Sequence, residues 1–248
     1  MMRKTLLTLA VFVCGWPLAA FAQASLGQQF DAAVKAFDRE ALAELQQAID
    51  SAANDAPEDY DAQRLAAECY ARRAAMNRNA RHIMDLPKQE DKTLRAEQEA
   101  WGEAGLVFAL RAIDLAGNDT QRAQAHRVAG ELYSHQITGM ISGLRNGPKA
   151  KRHIDEALEK SPRDPECLRA IGIMYLHNPP FNGGDVDKAV ETFKTCAEAA
   201  PRSDRYEVLL AMAYRKRDKT EEARSAARAA LRLNPENADA KHMLEALQ

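Results

Sequence analysis

The chain has 248 residues, with 34 Lys and Arg against 36 Asp and Glu, a formal net charge of -2, 46% hydrophobic and only 6% aromatic residues, and 12 Gly. This balance lacks the basic excess of a dedicated nucleic-acid binder, and so few glycines and aromatics speak against a strand-rich barrel or a glycine-rich nucleotide fold. The apolar fraction excludes a disordered chain, and its alanine content predicts helices packed closely together.

The chain opens on a basic segment, Met1 to Lys4, followed by an apolar run from Leu6 towards Ala20 and by Ala20-Phe21-Ala22. Small residues at −3 and −1 are what signal peptidase requires, so residues 1–22 are predicted to be a cleaved signal peptide. Cleavage before Gln23 leaves 226 residues and, by removing Arg3 and Lys4, moves the net charge from -2 to -4. The run is short and interrupted by Gly15 and Pro17, which argues against a retained anchor helix. Val13 stands before Cys14 where a lipobox needs Gly, Ala or Ser, so lipid anchoring is not expected. The predicted location is the periplasm.

Residues 23–59 carry Phe30, Val34 and Phe37, then Ala41, Leu45 and Ala48, at helical spacing. From residue 60 onward small and aromatic residues recur. Ala66-Ala67 and Tyr70 are followed by Gly105, Ala109, Ala112 and Gly117; Ala129-Gly130 and Tyr133 by Ala150, Ile154, Ala157 and Pro162. Ile171-Gly172 and Tyr175 are followed by Ala189, Phe193, Cys196 and Pro201; Leu210-Ala211 and Tyr214 by Ala223, Ala227, Ala230 and Pro235. Met243, Leu244 and Leu247 mark a last helix within 237–248.

This pattern resembles the tetratricopeptide repeat, a helical hairpin of about 34 residues in which small residues let two helices approach and proline ends the second. The resemblance implies an all-α, superhelical solenoid of four hairpins, over about 60–118, 123–162, 165–202 and 204–236. Residues 23–59 would form N-terminal helices with a half repeat, and 237–248 a capping helix over the apolar face of the last repeat. It further implies a scaffold that binds a protein or peptide and has no chemistry of its own.

The departures from the repeat are informative. Tyr214 to Ala223 keeps the ordinary interval of 9 residues, whereas Tyr175 to Ala189, Tyr133 to Ala150 and Tyr70 to Gly105 span 14, 17 and 35. All three insertions fall between the two helices of a hairpin, so stacking sets them along one edge of the solenoid, a place where insertions carry binding. In the longest, the first helix is predicted to run past Tyr70 towards Met84 and turn near Leu86-Pro87; Arg72, Arg73, Arg78 and Arg81 make it basic on part of its surface. The second holds Ile137, Met140, Ile141 and Leu144, with a turn expected at Gly147 and a new helix from Pro148. The third, His177 to Asp185, reads as turn chemistry, with two prolines, two glycines and a capping Asp185, or as a binding edge through His177 and Phe181.

In the repeat family the first helices line the concave surface. By register with the tyrosines, those positions hold Arg64, Glu68 and Arg72; Arg127, Glu131 and His135; Arg169, Ile173 and His177; and Arg205, Met212, Arg215 and Lys216. The recurring arginines have two readings: a clamp for a carboxylate or acidic peptide, or a face whose arginines pair with Glu68 and Glu131 one turn away. The candidate partner-binding residues are therefore Arg64, Arg127, His135, Arg169, His177, Phe181, Arg205 and Arg215.

After export three cysteines remain, Cys69, Cys167 and Cys196. Cys167 and Cys196 fall at adjacent helix ends of one hairpin, where either a disulfide or two buried thiols fits. No Walker A segment, His-Glu-x-x-His, Gly-x-Ser-x-Gly or Gly-x-Gly-x-x-Gly occurs, so no catalytic residue, metal ligand or cofactor is expected. Pro179-Pro180, Gly183-Gly184-Asp185, Lys188-Ala189 and Phe193 also resemble, more weakly, the T-component proteins of TRAP transporters, periplasmic helical-repeat proteins that work beside a solute-binding protein.

Overall fold

A computed structural model describes residues 18–248 and, of residues 18–25, the backbone alone. Most of the predicted signal peptide thus lies outside the described residues. The described residues form eleven α-helices and no strand. Two N-terminal helices, α1 (Leu18–Ala36) and α2 (Arg39–Asp55), precede four hairpins: α3 (Tyr60–Ile83) with α4 (Lys88–Leu115), α5 (Asp119–His135) with α6 (Met140–Lys160), α7 (Pro165–His177) with α8 (Val186–Ala199), and α9 (Asp204–Lys216) with α10 (Thr220–Leu233). The last helix, α11 (Ala238–Ala246), packs on α9 and α10. None of these helices is long and apolar enough to cross a membrane.

The helix starts follow from short polar side chains. Asp38, Asp59, Asn118, Asp164, Asp185 and Asn237 each accept a backbone N–H of the following first turn, which satisfies donors the helix itself leaves open. Pro165 stands at the first position of α7, where its missing N–H costs nothing. In the third insertion a 3-10 turn (Pro180–Asn182) is followed by Gly183 at φ 82, and a Cβ on Gly184 would lie 1.9 Å from the Asn178 carbonyl oxygen. Only glycine fits both positions, so the turn-chemistry reading accounts for this loop's backbone.

First helices α3, α5, α7 and α9 stack in order, with α3 touching α5, α5 touching α7 and α7 touching α9. Within hairpins the alanine and glycine positions form the seam: Ala109, Ala150, Ala157, Ala189, Ala223, Ala227 and Ala230 are fully buried. Bulk is added opposite the smallest residues. A Cβ on Gly130 would lie 2.6 Å from Ile154 Cγ1, and one on Gly172 would lie 2.6 Å from Phe193 Cε1. Both glycines occupy the same place in successive repeats, one facing Ile and the other Phe. Cys69, Cys167 and Cys196 are free and buried, so the two-thiol reading of the cysteines holds.

Two features depart from a simple stack of hairpins. First, α3 and α4 are 24 and 28 residues long, against 13 and 14 for α9 and α10. The extra length carries α3 to the other end of the solenoid, where Ile83 is built into a core with Leu176, Leu209, Met212 and Met243. Arg215 Nη1 donates to the Ile83 carbonyl (2.9 Å), Lys216 Nζ donates to that of Leu176, and Asn79 Nδ2 donates to Asp239 Oδ2 on α11 (2.8 Å). The two cations sit where the α3 and α7 dipoles favour positive charge. Asn234 also donates to the Lys35 carbonyl at the end of α1 (2.9 Å). The C-terminal repeats therefore close onto α1 and α3, and the concave side is largely filled by the protein itself.

Second, the expected turn at Gly147 is not there. Helix α6 begins at Met140 and runs through Gly147 with Pro148 in its interior. Ser142 is the reason: its Oγ accepts from the backbone N–H groups of Thr138 and Gly139, both at 3.0 Å, and so caps the helix eight residues earlier. Pro148, itself exposed, removes the backbone hydrogen bond to the carbonyl of the exposed Leu144.

The seam gives a direct prediction. Gly172→Ala should destabilise the protein by about 1–3 kcal/mol through overpacking against Phe193, measured as a lowered midpoint in urea. Gly172→Ala combined with Phe193→Leu should recover part of that loss. An unchanged midpoint in the single variant would refute the close seam.

Candidate functional site

The concave positions form a ladder of ion pairs across four helices. Glu68 on α3 pairs with Arg127 Nη2 on α5; Arg127 Nη1 meets Glu131 Oε1 at 2.7 Å; and the same Glu131 oxygen accepts from Arg169 Nη2 on α7 at 2.6 Å. Arg169 Nε reaches Glu166 Oε2 at 3.0 Å, and Arg205 Nη2 on α9 reaches that oxygen at 3.3 Å. Tyr206 Oη donates to the other oxygen of Glu166 at 2.6 Å. Three carboxylates are thus interleaved with three guanidiniums.

Burial pushes the Glu131 carboxyl up, but the Arg169 and Arg127 guanidiniums outweigh it and hold the group well below the usual carboxylate range. The same competition, won by Arg127 for Glu68 and by Arg169 and Arg205 for Glu166, keeps both ionised. Arg127 and Arg169 are 4% and 3% exposed and each holds two carboxylates. They are withdrawn from the predicted clamp, and pairing with Glu68 and Glu131 is what the structure shows. Glu166 and Tyr206 complete the ladder and were missed by sequence reasoning; the signal for Glu166 was its place one turn before Arg169.

The other candidates scatter. Arg64 lies beside Asp61 at 3.5 Å on the outer turn of α3. Arg205, part-exposed, closes the ladder, and Arg215 caps α3. His135 is fully buried, and neither ring nitrogen has a partner. His177 is half-buried and stacks on His82 with centroids 4.3 Å apart, so it faces α3 instead of an open groove. Phe181 lies in the 3-10 turn, and its side chain is outside the described residues.

The arginines of the first insertion divide in the same way. Arg73 lies over the Trp101 ring at 4.2 Å, and Arg81 pairs with Asp91 at 2.8 Å and bonds Gln98. Arg72 and Arg78 instead turn inward. They line a cavity of about 150 Å³ left between α1, α3, α7, α9 and α11. Along the edge, the capped start of α6 holds Met140, Ile141 and Leu144 at 84%, 84% and 75% exposure.

Residues 208–244 match the family model of the tetratricopeptide repeat. Among solved structures, the chain is similar to a thermophilic TPR protein of Thermus thermophilus, with 16% identity over 90% of this chain and 98% of that one and a TM-score of 0.57. It is also similar to a chain of the APC/C hetero-tetramer Cut9-Hcn1, with 14% identity, a TM-score of 0.56, and coverage of 92% of this chain but 40% of that one. The fold is that of the tetratricopeptide repeat. A comparison with curated proteins gives no match. These relatives lend no support to the weaker T-component resemblance. The tetratricopeptide framework explains the alanine seams and the stacked first helices; the length of α3 departs from the 13-residue first helix α9 of the last repeat.

The ladder and the buried histidines can each be tested by unfolding. Glu131→Gln leaves Arg127 and Arg169 short of a buried counter-charge and should cost about 3–5 kcal/mol in urea unfolding. Lys151→Ala, which breaks an exposed i, i+4 pair with Asp155 at 2.5 Å, should cost at most about 0.5 kcal/mol. Equal effects of the two would contradict the buried assignment.

Burial, with help from nearby cations, lowers His153 to about 4, and holds His135 and His177 well below the usual imidazole range. A folded-state pKa below the unfolded one means that the unfolded chain binds more protons through that window. Stability is therefore full above the ordinary imidazole pKa of about 6.5 and falls as the pH drops towards 4. The lowered carboxylates add a further loss below about 4.5. Urea midpoints should fall between pH 7 and pH 5, with a shallower fall in His153→Gln; a flat profile over that range would count against neutral burial.

Proposed function

We propose that the protein is an exported, non-catalytic tetratricopeptide adaptor that works in the periplasm. It binds a protein partner at its insertion-bearing edge, and the bound segment is apolar with acidic flanks. The observation that carries this reading is the exposed start of α6. Met140, Ile141 and Leu144 cluster on one end of a helix that protrudes beyond the hairpin seam. Large exposed apolar clusters of this kind mark interaction sites on soluble proteins.

Charge favours the nature of the partner. From Met140 to His153 the chain has four cations, Arg145, Lys149, Lys151 and Arg152, and no acid. All four are exposed, so an acidic segment beside an apolar anchor complements this edge. The concave face offers less, because its central arginines already hold internal carboxylates. Export rests on the leader-like residues 1–22.

A photo-crosslinking residue at Leu144, in cells producing the full chain, should give one discrete protein adduct in the periplasmic fraction. The same residue at Glu159, which is also exposed, should give none. Ile141→Asp should weaken that partner's affinity at least tenfold while leaving thermal stability unchanged. Adducts only from position 205 on the concave side, a cytoplasmic adduct, or association of α6 with anionic vesicles in place of a protein would overturn the proposal.

A further inference from the structure

The interior cavity is a second candidate site, independent of the edge. Its polar wall carries two guanidiniums, Arg72 and Arg78, that form no salt bridge among the described residues, although Glu166 and Glu68 lie near the first and Glu131 and Asp239 near the second. Arg78 is 8% exposed; its Nε has no acceptor, and its Nη2 donates to Asn79 Oδ1 over a long 3.5 Å. Arg72 precedes it on α3 by almost two turns, and its buried Nε also lacks an acceptor. Burial and the neighbouring Arg205 and Arg169 oppose the charge on Arg72 and outweigh the support of Glu166 and Glu68; burial with Arg169 outweighs Glu131 and Asp239 at Arg78. Arg72 is part-buried and Arg78 buried; a cation withdrawn from water without a salt bridge is costly, and an anion between them would relieve the cost.

The cavity's own acids do not supply that anion. Asp204 accepts from the side-chain amides of Asn234 and Asn237, both at 2.8 Å, and Asp239 accepts from Asn79. Burial pushes the Asp239 carboxyl up, towards its neutral form. Glu131 and Glu166 are held by Arg127, Arg169 and Arg205. Asp31 and Lys35, both exposed, flank the mouth on α1. The remaining wall is apolar, with Val34, Met76, Ile173 and Val208. Phe37 lines the cavity from a left-handed backbone conformation, φ 54, that side chains other than glycine rarely adopt.

We infer that this cavity binds a small organic carboxylate, its carboxylate between Arg72 and Arg78 and its hydrocarbon part against Val34, Met76, Ile173 and Val208. Bidentate recognition of carboxylate is what a guanidinium does best. A volume of about 150 Å³ matches a six-carbon ring or a short acyl chain, since an apolar cavity of roughly that size holds benzene.

The test is calorimetric titration of the full chain with hexanoate and benzoate, beside 1-hexanol, hexylamine, inorganic phosphate and a short peptide ending in leucine. Hexanoate or benzoate should bind and raise the melting temperature, with the alcohol and the amine inert. Arg72→Gln and Arg78→Gln should each weaken binding at least tenfold. Val208→Phe, which fills the apolar wall and keeps both arginines, should do the same and decides the matter if an arginine variant does not fold. Absence of carboxylate binding, equal binding of 1-hexanol, or affinity unchanged in both Arg72→Gln and Val208→Phe would overturn the inference. Tighter binding of phosphate would remove the apolar wall from it, and tighter binding of the peptide would reassign the site to a chain end.

Discussion

Glu131 stands between two arginines from different repeats, and much of the interior is organised around that contact. Arg127 comes from its own helix, one turn away, while Arg169 comes from the next repeat. A solenoid built only of alanine seams has little to fix how one first helix slides along the next, because small apolar contacts tolerate a shift. A buried carboxylate that must meet two guanidiniums does not tolerate one. Its charges are stable only in the register that brings all partners to hydrogen-bonding distance. Glu166 repeats the device one step on, joining Arg169 to Arg205 and Tyr206. The ladder is therefore better regarded as setting register than as adding net stability, since buried ion pairs often contribute little beyond their desolvation cost.

The long α3 imposes the second constraint. A tetratricopeptide superhelix with an open groove leaves its first helices facing water, where arginines such as Arg127 and Arg169 would be free to take a ligand. Here α3 extends across that side and ends in the C-terminal core, with Arg215 capping it at Ile83 and Asn79 bound to Asp239. Closure dries the ladder, which strengthens each charge pair and also strands whatever is left over. Among the described residues, His135, with two unpartnered ring nitrogens, and the Nε groups of Arg72 and Arg78 are left over in this way. One insertion thus turns a potential ligand-binding groove into an interior, with a pair of cations facing the cavity.

The repeat was legible because its physics is local. Small residues at Gly130, Ala150, Gly172 and Ala189 recur at intervals set by helix crossing, and their partners Ile154 and Phe193 recur with them. The recurring arginines were legible as a row and ambiguous as to role, since Arg127 and Arg169 carry the same spacing whether they face solvent or carboxylates. Deciding between the two required knowing that α3 covers them, a contact between residues more than a hundred positions apart such as Arg215 and Ile83. The start of α6 was misjudged for a different reason. Gly147-Pro148 is a strong turn signal taken alone, yet Ser142 capping at Gly139 offers the chain a longer helix, and proline then falls where it costs one exposed hydrogen bond.

That longer helix has a consequence for function. Had α6 begun at Pro148, Met140, Ile141 and Leu144 would belong to a loop free to fold back over the hairpin. In the helix they are fixed within its first turn and a half and exposed, so ordering them for a partner carries little entropic cost at the moment of binding. The interior is arranged on the opposite principle. Its ladder carboxylates and guanidiniums are matched from within, whereas Arg72 and Arg78 face the cavity without a paired carboxylate. A macromolecular partner has a surface on which to dock at the α6 edge and little room between α3 and α9, whereas a molecule of a few heavy atoms has the reverse. On the two proposals, the insertions with the most side-chain chemistry divide recognition by size: the second presents apolar surface outward, and the first lines a charged cavity.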